Sequence, residues 1–370
     1  MDPRTPRPIP LLLGISLTAA TLVGCTASGA PERSRSPSAT AEQVAGDRLT
    51  GDAELIEQMA PRFADEFDRA AMALIDRDEV RSAFVAADAT TVFELGAITK
   101  VLGGELLAIG IERGEVAADD PLGAHLDLGD APAASVTLER LATHHGGLPY
   151  LPTVPAWRAE VDAAHDAFRN PLDDDLEGLL ELARGLEARP GGGYEYSEIG
   201  SALLGHALAA AAGTSYAELV EARLFDPLGM DDATVVETPG QVPEGHAGGF
   251  TWAGDPVEPW SVGAFAPALG VDATLGDLVA LARGVLDGPL AASPALEPIA
   301  ETEEAAWRIG YDWVTVELPE RTETGHSGET GGFSCSLLID RQAGTAAIVL
   351  SNTTENRLGA ARQLLRIADD

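Results

Sequence analysis

The chain has 370 residues, 45% of them hydrophobic and 22% charged, enough to bury a sizeable core in one large or two medium domains. Its formal net charge of -35 excludes nucleic acid and anionic membrane surfaces as partners, because affinity for phosphate rests on clustered Lys and Arg. The plain reading of so acidic a surface is good solvation and resistance to association. Every basic side chain but one is arginine; the single lysine is Lys100. Only an amine can give up its proton near neutral pH, since guanidinium stays charged, so Lys100 marks a place where arginine could not do the chemistry.

In chain order, Arg4 and Arg7 precede an apolar stretch over 9–23 that ends at Leu22-Val23-Gly24-Cys25. The stretch is short for a membrane span, and small residues precede the cysteine, so 1–24 reads as an export signal. Leu-Val-Gly-Cys resembles a bacterial lipobox, which implies cleavage before Cys25, a lipid on its sulfur and anchorage at the outer face of the cytoplasmic membrane. Residues 25–50 follow as the lipidated cysteine and a flexible tether rich in Ser, Ala, Pro and Thr. Cys335 is the one other cysteine and reads as a small buried hydrophobe in a strand.

The folded part spans 51–370. Leu55, Met59, Phe63 and Phe67 form a helical stripe, and 71–75 and 80–86 read as strands around the turn Asp76-Arg77-Asp78-Glu79. A helix over 98–113 buries Ile98, Val101, Leu102, Leu106 and Ile109. Gly103 and Gly104 inside it each cost about 1 kcal/mol relative to Ala, which predicts close packing of another backbone there. About 136–260 is a helical insertion, with stripes at Leu176, Leu179, Leu180 and Ala183 and at Ile199, Leu203 and Leu204. Asp173, Asp174 and Asp175 head the first stripe as favourable charge at a helix N-terminus. Strands return over 313–316, 332–339 and 345–350, and a last helix covers 356–368. Strands at both ends with helices between predict an α+β fold: one antiparallel sheet closed by the termini and flanked by terminal helices, with the helical insertion beside it.

Acyl transfer by a serine hydrolase needs a nucleophile, a base beside it and donors for the oxyanion. A helix start carrying nucleophile and base three residues apart stacks them on one face and adds backbone N–H groups. Five ordered segments fit such a site. They are Phe93-Glu94-Leu95-Gly96-Ala97-Ile98-Thr99-Lys100, Leu141-Ala142-Thr143-His144-His145-Gly146-Gly147-Leu148-Pro149, Tyr194-Glu195-Tyr196-Ser197-Glu198, Phe225-Asp226-Pro227-Leu228-Gly229-Met230 and His326-Ser327-Gly328. In order and content they resemble the serine β-lactamase and penicillin-binding-protein superfamily, in the branch holding class C β-lactamases, DD-carboxypeptidases and related esterases. The resemblance covers nearly all of the chain after the tether.

That resemblance implies hydrolysis or transfer of an amide or ester through an acyl-serine, with Lys100 and Tyr196 sharing proton transfer. The N–H groups of Ala97 and Glu329 would frame the oxyanion. His326 and Ser327, with Gly328 on the same strand, would contact a substrate's carboxylate or backbone. Two positions depart from the pattern. Ala97 stands where the family has its nucleophilic serine, and loss of such a serine from an unrelated protease lowers kcat about a millionfold. Thr99 points about 200° round the helix from Ala97 and is a poor substitute. Glu198 stands where the family has Asn, and its carboxylate is expected to pair with Lys100, holding the ammonium and spoiling the base.

Glu195, Glu198, Glu323 and Glu329 all flank motif residues, which predicts an acidic pocket that repels the carboxylate of a penicillin or of D-Ala-D-Ala. His326 offers at most partial positive charge there. The adjacent His144 and His145 would point in different directions, and no metal-site spacing or phosphate loop is present. No cofactor is indicated. The expected role is a non-catalytic envelope protein that binds a peptide, a cell-wall fragment or a small ester or amide. The competing expectation is an active hydrolase, through another nucleophile or with Ser native at position 97.

Overall fold

The structure, a computed structural model, describes residues 48–368 apart from positions 64 and 190. The expected export signal, Cys25 and nearly all of the tether lie outside these residues.

Among the described residues the largest sheet has nine strands, every neighbouring pair antiparallel. Across the sheet they run Leu49–Gly51, Glu79–Val85, Ala70–Asp76, Thr345–Ser351, Ser334–Asp340, Thr322–Glu329, Val314–Glu317, Trp307–Ile309 and Ala300–Glu301. The two ends of the folded chain meet in its middle, where Ala71 pairs with Leu350 and Ile75 with Ala346. Strict alternation divides these strands between two cores. Ala71, Ala73, Ile75, Ala346, Ile348 and Leu350 face the large helical side, and Met72, Leu74, Ala347 and Val349 face the terminal helices. Each fully buried Leu, Ile or Met contributes about 1.5–3 kcal/mol against exposure. The second core therefore fastens the terminal helices, through Leu55 and Met59 at one end and Ala361, Leu364 and Leu365 at the other.

Several elements differ from expectation. The first helix ends at Met59 and tightens into a 3-10 turn over Ala60–Arg62, which contains Pro61; proline cannot donate the amide an α-helix needs. Phe67 therefore leaves the stripe and stacks on Phe250, ring centroids 5.2 Å apart. Leu176 opens the Leu176–Arg184 helix and is 41% exposed while Leu179, Leu180 and Ala183 are buried. The late strands start at Val314 and Ser334, one and two residues after the expected positions.

Two helices lie at the centre of the large core, Thr99–Glu112 and Glu198–Ala212, buried on nearly all sides. A helix apolar all round belongs in an interior rather than on a surface, so the one-sided burial expected for the first is replaced by burial all round. A Cβ on Gly104 would lie 2.0 Å from the Tyr311 carbonyl oxygen, the close backbone approach its glycine implied. Gly103 has nothing within 4 Å of the same point, so close packing does not explain it.

Candidate active site

Phe93–Glu94 pairs with Val271–Ala273 in a small three-stranded sheet, and the Leu95 amide donates to the Val271 carbonyl. The chain then turns through the 3-10 segment Gly96–Ile98 into the Thr99–Glu112 helix. Ala97 lies in that turn and is 8% exposed. Thr99 is fully buried, and its hydroxyl accepts from the Val271 amide; it faces the small sheet, as its angle round the helix requires.

The Thr322–Glu329 strand closes on this turn because Gly328 has no side chain. A Cβ there would lie 1.9 Å from the Leu95 carbonyl oxygen and 2.7 Å from the Ala97 nitrogen. Gly96 is equally constrained, with φ 52° and its added Cβ 2.8 Å from the Glu329 nitrogen; only glycine takes up such backbone freely. The main chains of the Gly96–Ile98 turn and Glu329 thus run side by side, the layout the resemblance requires of two oxyanion donors.

Lys100 rises from the helix start into complete burial. Its Nζ donates to Glu198 Oε2 at 2.5 Å and to the Ala268 carbonyl at 3.0 Å, and lies 5.1 Å from the Tyr196 ring centroid. Glu198 is placed by its helix start. Ser197 caps the Glu198–Ala212 helix by accepting from the Gly200 amide, and the Glu198 amide donates to the Tyr150 carbonyl. The expected Lys100–Glu198 contact is present. Burial, then the Glu198 charge, holds the Tyr196 hydroxyl well above its ordinary range, so it stays protonated.

His326 lies across the cleft, its ring 6.4 Å from that of Tyr196. Burial and then Lys100 lower its pKa to about 4, so it is neutral at pH 7. Its Nδ1 donates to the Ser327 carbonyl at 2.7 Å, which leaves Nε2 as an acceptor. Ser327 bonds Ser336 across the strands at 2.9 Å, on the sheet face that carries Leu338 rather than the face of His326.

The expected ring of four acidic groups reduces to fewer. Glu323 is buried and bonds Arg362 of the C-terminal helix at 2.7 Å, on the far side of the sheet. Glu195 is exposed, Glu198 is committed to Lys100, and Glu329 is an exposed carboxylate bonded to Asn356 at 3.4 Å.

Three further residues belong to the site. Tyr150 stacks on Tyr196 at 6.2 Å and is 38% exposed. His144 and Asp312, both fully or almost fully buried and both at φ 57°, approach at 3.4 Å behind Tyr196. The His144 ring centroid is 4.4 Å from that of Tyr196. The Ser197 amide donates to His144 Nδ1, so its proton sits on Nε2 and faces Asp312. Burial dominates both groups, pushing the histidine well down and the carboxyl well up, so burial disfavours charge on either. His144 was visible within its motif, and its divergence from His145 is seen in the separate bond of His145 Nδ1 to the Thr143 carbonyl. Asp312, a lone acid beside Trp313, carried no signal in the sequence.

Cys335 is fully buried with its thiol pushed up to about 12 by burial, and it donates to the Glu94 carbonyl, so it is no nucleophile. Among the described residues no group of three or more His, Cys, Asp or Glu side chains is placed to hold a metal ion.

A turn-to-helix junction, a buried lysine, a tyrosine against its amine and a closing strand define the cleft of the acyl-transferring serine hydrolases. The chain belongs to the beta-lactamase family, whose family model matches residues 57–369. It is similar to the D-alanyl-D-alanine-carboxypeptidase/endopeptidase AmpH of Escherichia coli strain K12, 32% identical over 156 residues, covering 41% of this chain and 38% of that protein. The chain thus spans about two fifths of the length of that relative. Esterase EstB of Burkholderia gladioli is 28% identical over 310 residues, 71% of this chain and 78% of the esterase. Among solved structures, a class C beta lactamase from Rhodobacter sphaeroides superposes with a TM-score of 0.68 at 21% identity, covering 85% of this chain and 97% of that one, which establishes the fold.

Proposed function

We propose that this is an exported lipoprotein, cleaved before Cys25 and held by a lipid on that sulfur at the outer face of the cytoplasmic membrane. Its cleft binds a peptide, a cell-wall fragment or a small ester or amide and does not turn it over. The observation that carries this reading is Lys100 committed to Glu198 at 2.5 Å beside a residue, Ala97, that ends in a methyl group. The base is occupied and there is no hydroxyl for it to activate. Against turnover by another nucleophile stand the engagement of the Thr99 hydroxyl with Val271 and the inert thiol of Cys335. The ligand class is supported by two relatives, one named for D-alanyl-D-alanine cleavage and one named an esterase. Export is supported by Arg4 and Arg7 ahead of the apolar 9–23 and by Leu22-Val23-Gly24-Cys25.

The catalytic half is tested by incubating the purified protein and its Ala97→Ser, Glu198→Asn variant with a fluorescent penicillin and a fluorophosphonate. Labelling confined to the variant supports the reading, and labelling of the parent defeats it. The anchor is tested by expressing parent and Cys25→Ala with a clickable fatty acid; equal incorporation into both removes the lipid from the account.

A further inference from the structure

We infer that a cavity on the inner face of the large sheet, separate from the cleft, is a saccharide-binding site. None of the cleft residues described above lines it, so it stands apart from what the cleft binds. In the antiparallel pair Val314–Glu317 and Thr322–Glu329, Thr315 lies opposite Thr324 and Glu317 opposite Thr322. Thr324 in turn lies opposite Ile339, which faces the large helical core, so all four side chains leave the sheet on that inner face. A sheet face that buries itself against helices carries aliphatic residues, as Ile339 and Ala346 do here. Three threonines and a glutamate in such a row are the exception that needs a reason. In place of packed side chains, a cavity of about 520 Å³ opens on them, within the size range of small-molecule sites.

The walls give the ligand its chemistry. One side is apolar: Leu286 ends the Leu275–Leu286 helix, and Leu296 and Pro298 follow it in the chain. Arg341, in the turn between the last two strands, ties that side to the sheet by donating to the Ala291 carbonyl at 2.9 Å. It also faces Glu297 at 3.8 Å, so the one cation of the lining has little charge to spare for an anion. Thr315 and Thr324 are buried at the base and bond each other at 3.1 Å. Two hydroxyls that share one bond keep one proton to donate and lone pairs to accept. The side chains of Thr322, Glu317 and Gln342 line the cavity without a hydrogen-bond partner among the described residues. Carboxylate and amide edges bond neighbouring hydroxyls in pairs, and Leu and Pro side chains meet the C–H face of a sugar ring. An aliphatic ligand would instead strand the spare hydroxyl proton and the Gln342 amide against carbon.

The test is calorimetric titration of the purified protein with cellobiose, a plain disaccharide, and with N,N′-diacetylchitobiose, its N-acetylated counterpart. At least one is expected to bind, and the tighter of the two tells a free sugar from an N-acetylated glycan as the source. Thr324→Val keeps the shape of the cavity base and removes one hydroxyl. It is expected to weaken binding about fivefold, the size of one neutral hydrogen bond. Gln342→Ala alters an exposed turn side chain and is expected to weaken binding by a similar factor. A thermal melt checks that each variant is folded; if Thr324→Val is not, Gln342→Ala alone decides. Weaker binding in either folded variant supports the site. No binding of either disaccharide, or binding that every folded variant leaves unchanged, overturns it.

Discussion

Lys100 Nζ and Glu198 Oε2 lie 2.5 Å apart with both side chains at most 3% exposed, and the amine also donates to the Ala268 carbonyl. Breaking a buried pair from one side strands a charge in the interior. Lys100→Met and Glu198→Gln are each expected to cost about 3–5 kcal/mol in urea unfolding, whereas Lys100→Met with Glu198→Leu recovers most of the loss. Single variants within about 0.5 kcal/mol of the parent would show that the pair carries no such role.

Gly328 holds the closing strand against the Gly96–Ile98 turn with no room for a methyl group. Gly328→Ala is expected to destabilise by about 1–3 kcal/mol, since overpacking here meets backbone rather than a movable side chain. Introduced into the Ala97→Ser, Glu198→Asn protein, it is expected to abolish penicillin labelling. Retained labelling would mean that the strand and the turn need not touch.

Glu105 gives the fold a pH dependence of definite sign. It is fully buried, accepts from Trp313 Nε1 at 2.8 Å and from Ser293, and burial raises its pKa from 4.5 to about 7. The folded state therefore keeps a proton that the unfolded chain releases. Its contribution is complete below pH 4.5 and is lost as pH climbs to about 7, a fall on the order of 3 kcal/mol. Asp68, raised to about 6 by burial, acts in the same direction. Urea midpoints at pH 5 and pH 7.5 measure the slope, and Glu105→Gln is expected to flatten it. A Trp313 fluorescence titration with no midpoint near 7 speaks against the assignment.

Much of this was legible beforehand because it rests on local pattern. The hairpin 71–86 and the helix after Ala97 each follow from alternation, turn chemistry or helical spacing. The Lys100–Glu198 contact followed from the family resemblance, which puts Glu198 at the Asn position of its motif, joined to the need of an enclosed cation for an anion. What stayed hidden depends on tertiary direction. Glu323 and Ser327 turn from the cleft by strand parity, which a motif does not reveal until the sheet's two faces are assigned. Phe67 was lost to Pro61 in the preceding turn. Asp312 and His144 meet at 3.4 Å from left-handed backbone, a conformation that neither residue type announces.

The central claim is tested most directly by intact-mass spectrometry of the unaltered mature chain after exposure to a penicillin and to a fluorophosphonate, beside Ala97→Ser, Glu198→Asn. The account predicts no covalent adduct on the parent and, once Glu198→Asn also frees the Lys100 amine in the Ala97→Ser protein, one adduct mapped to position 97. An adduct on the parent, on any residue lining the cleft, contradicts it.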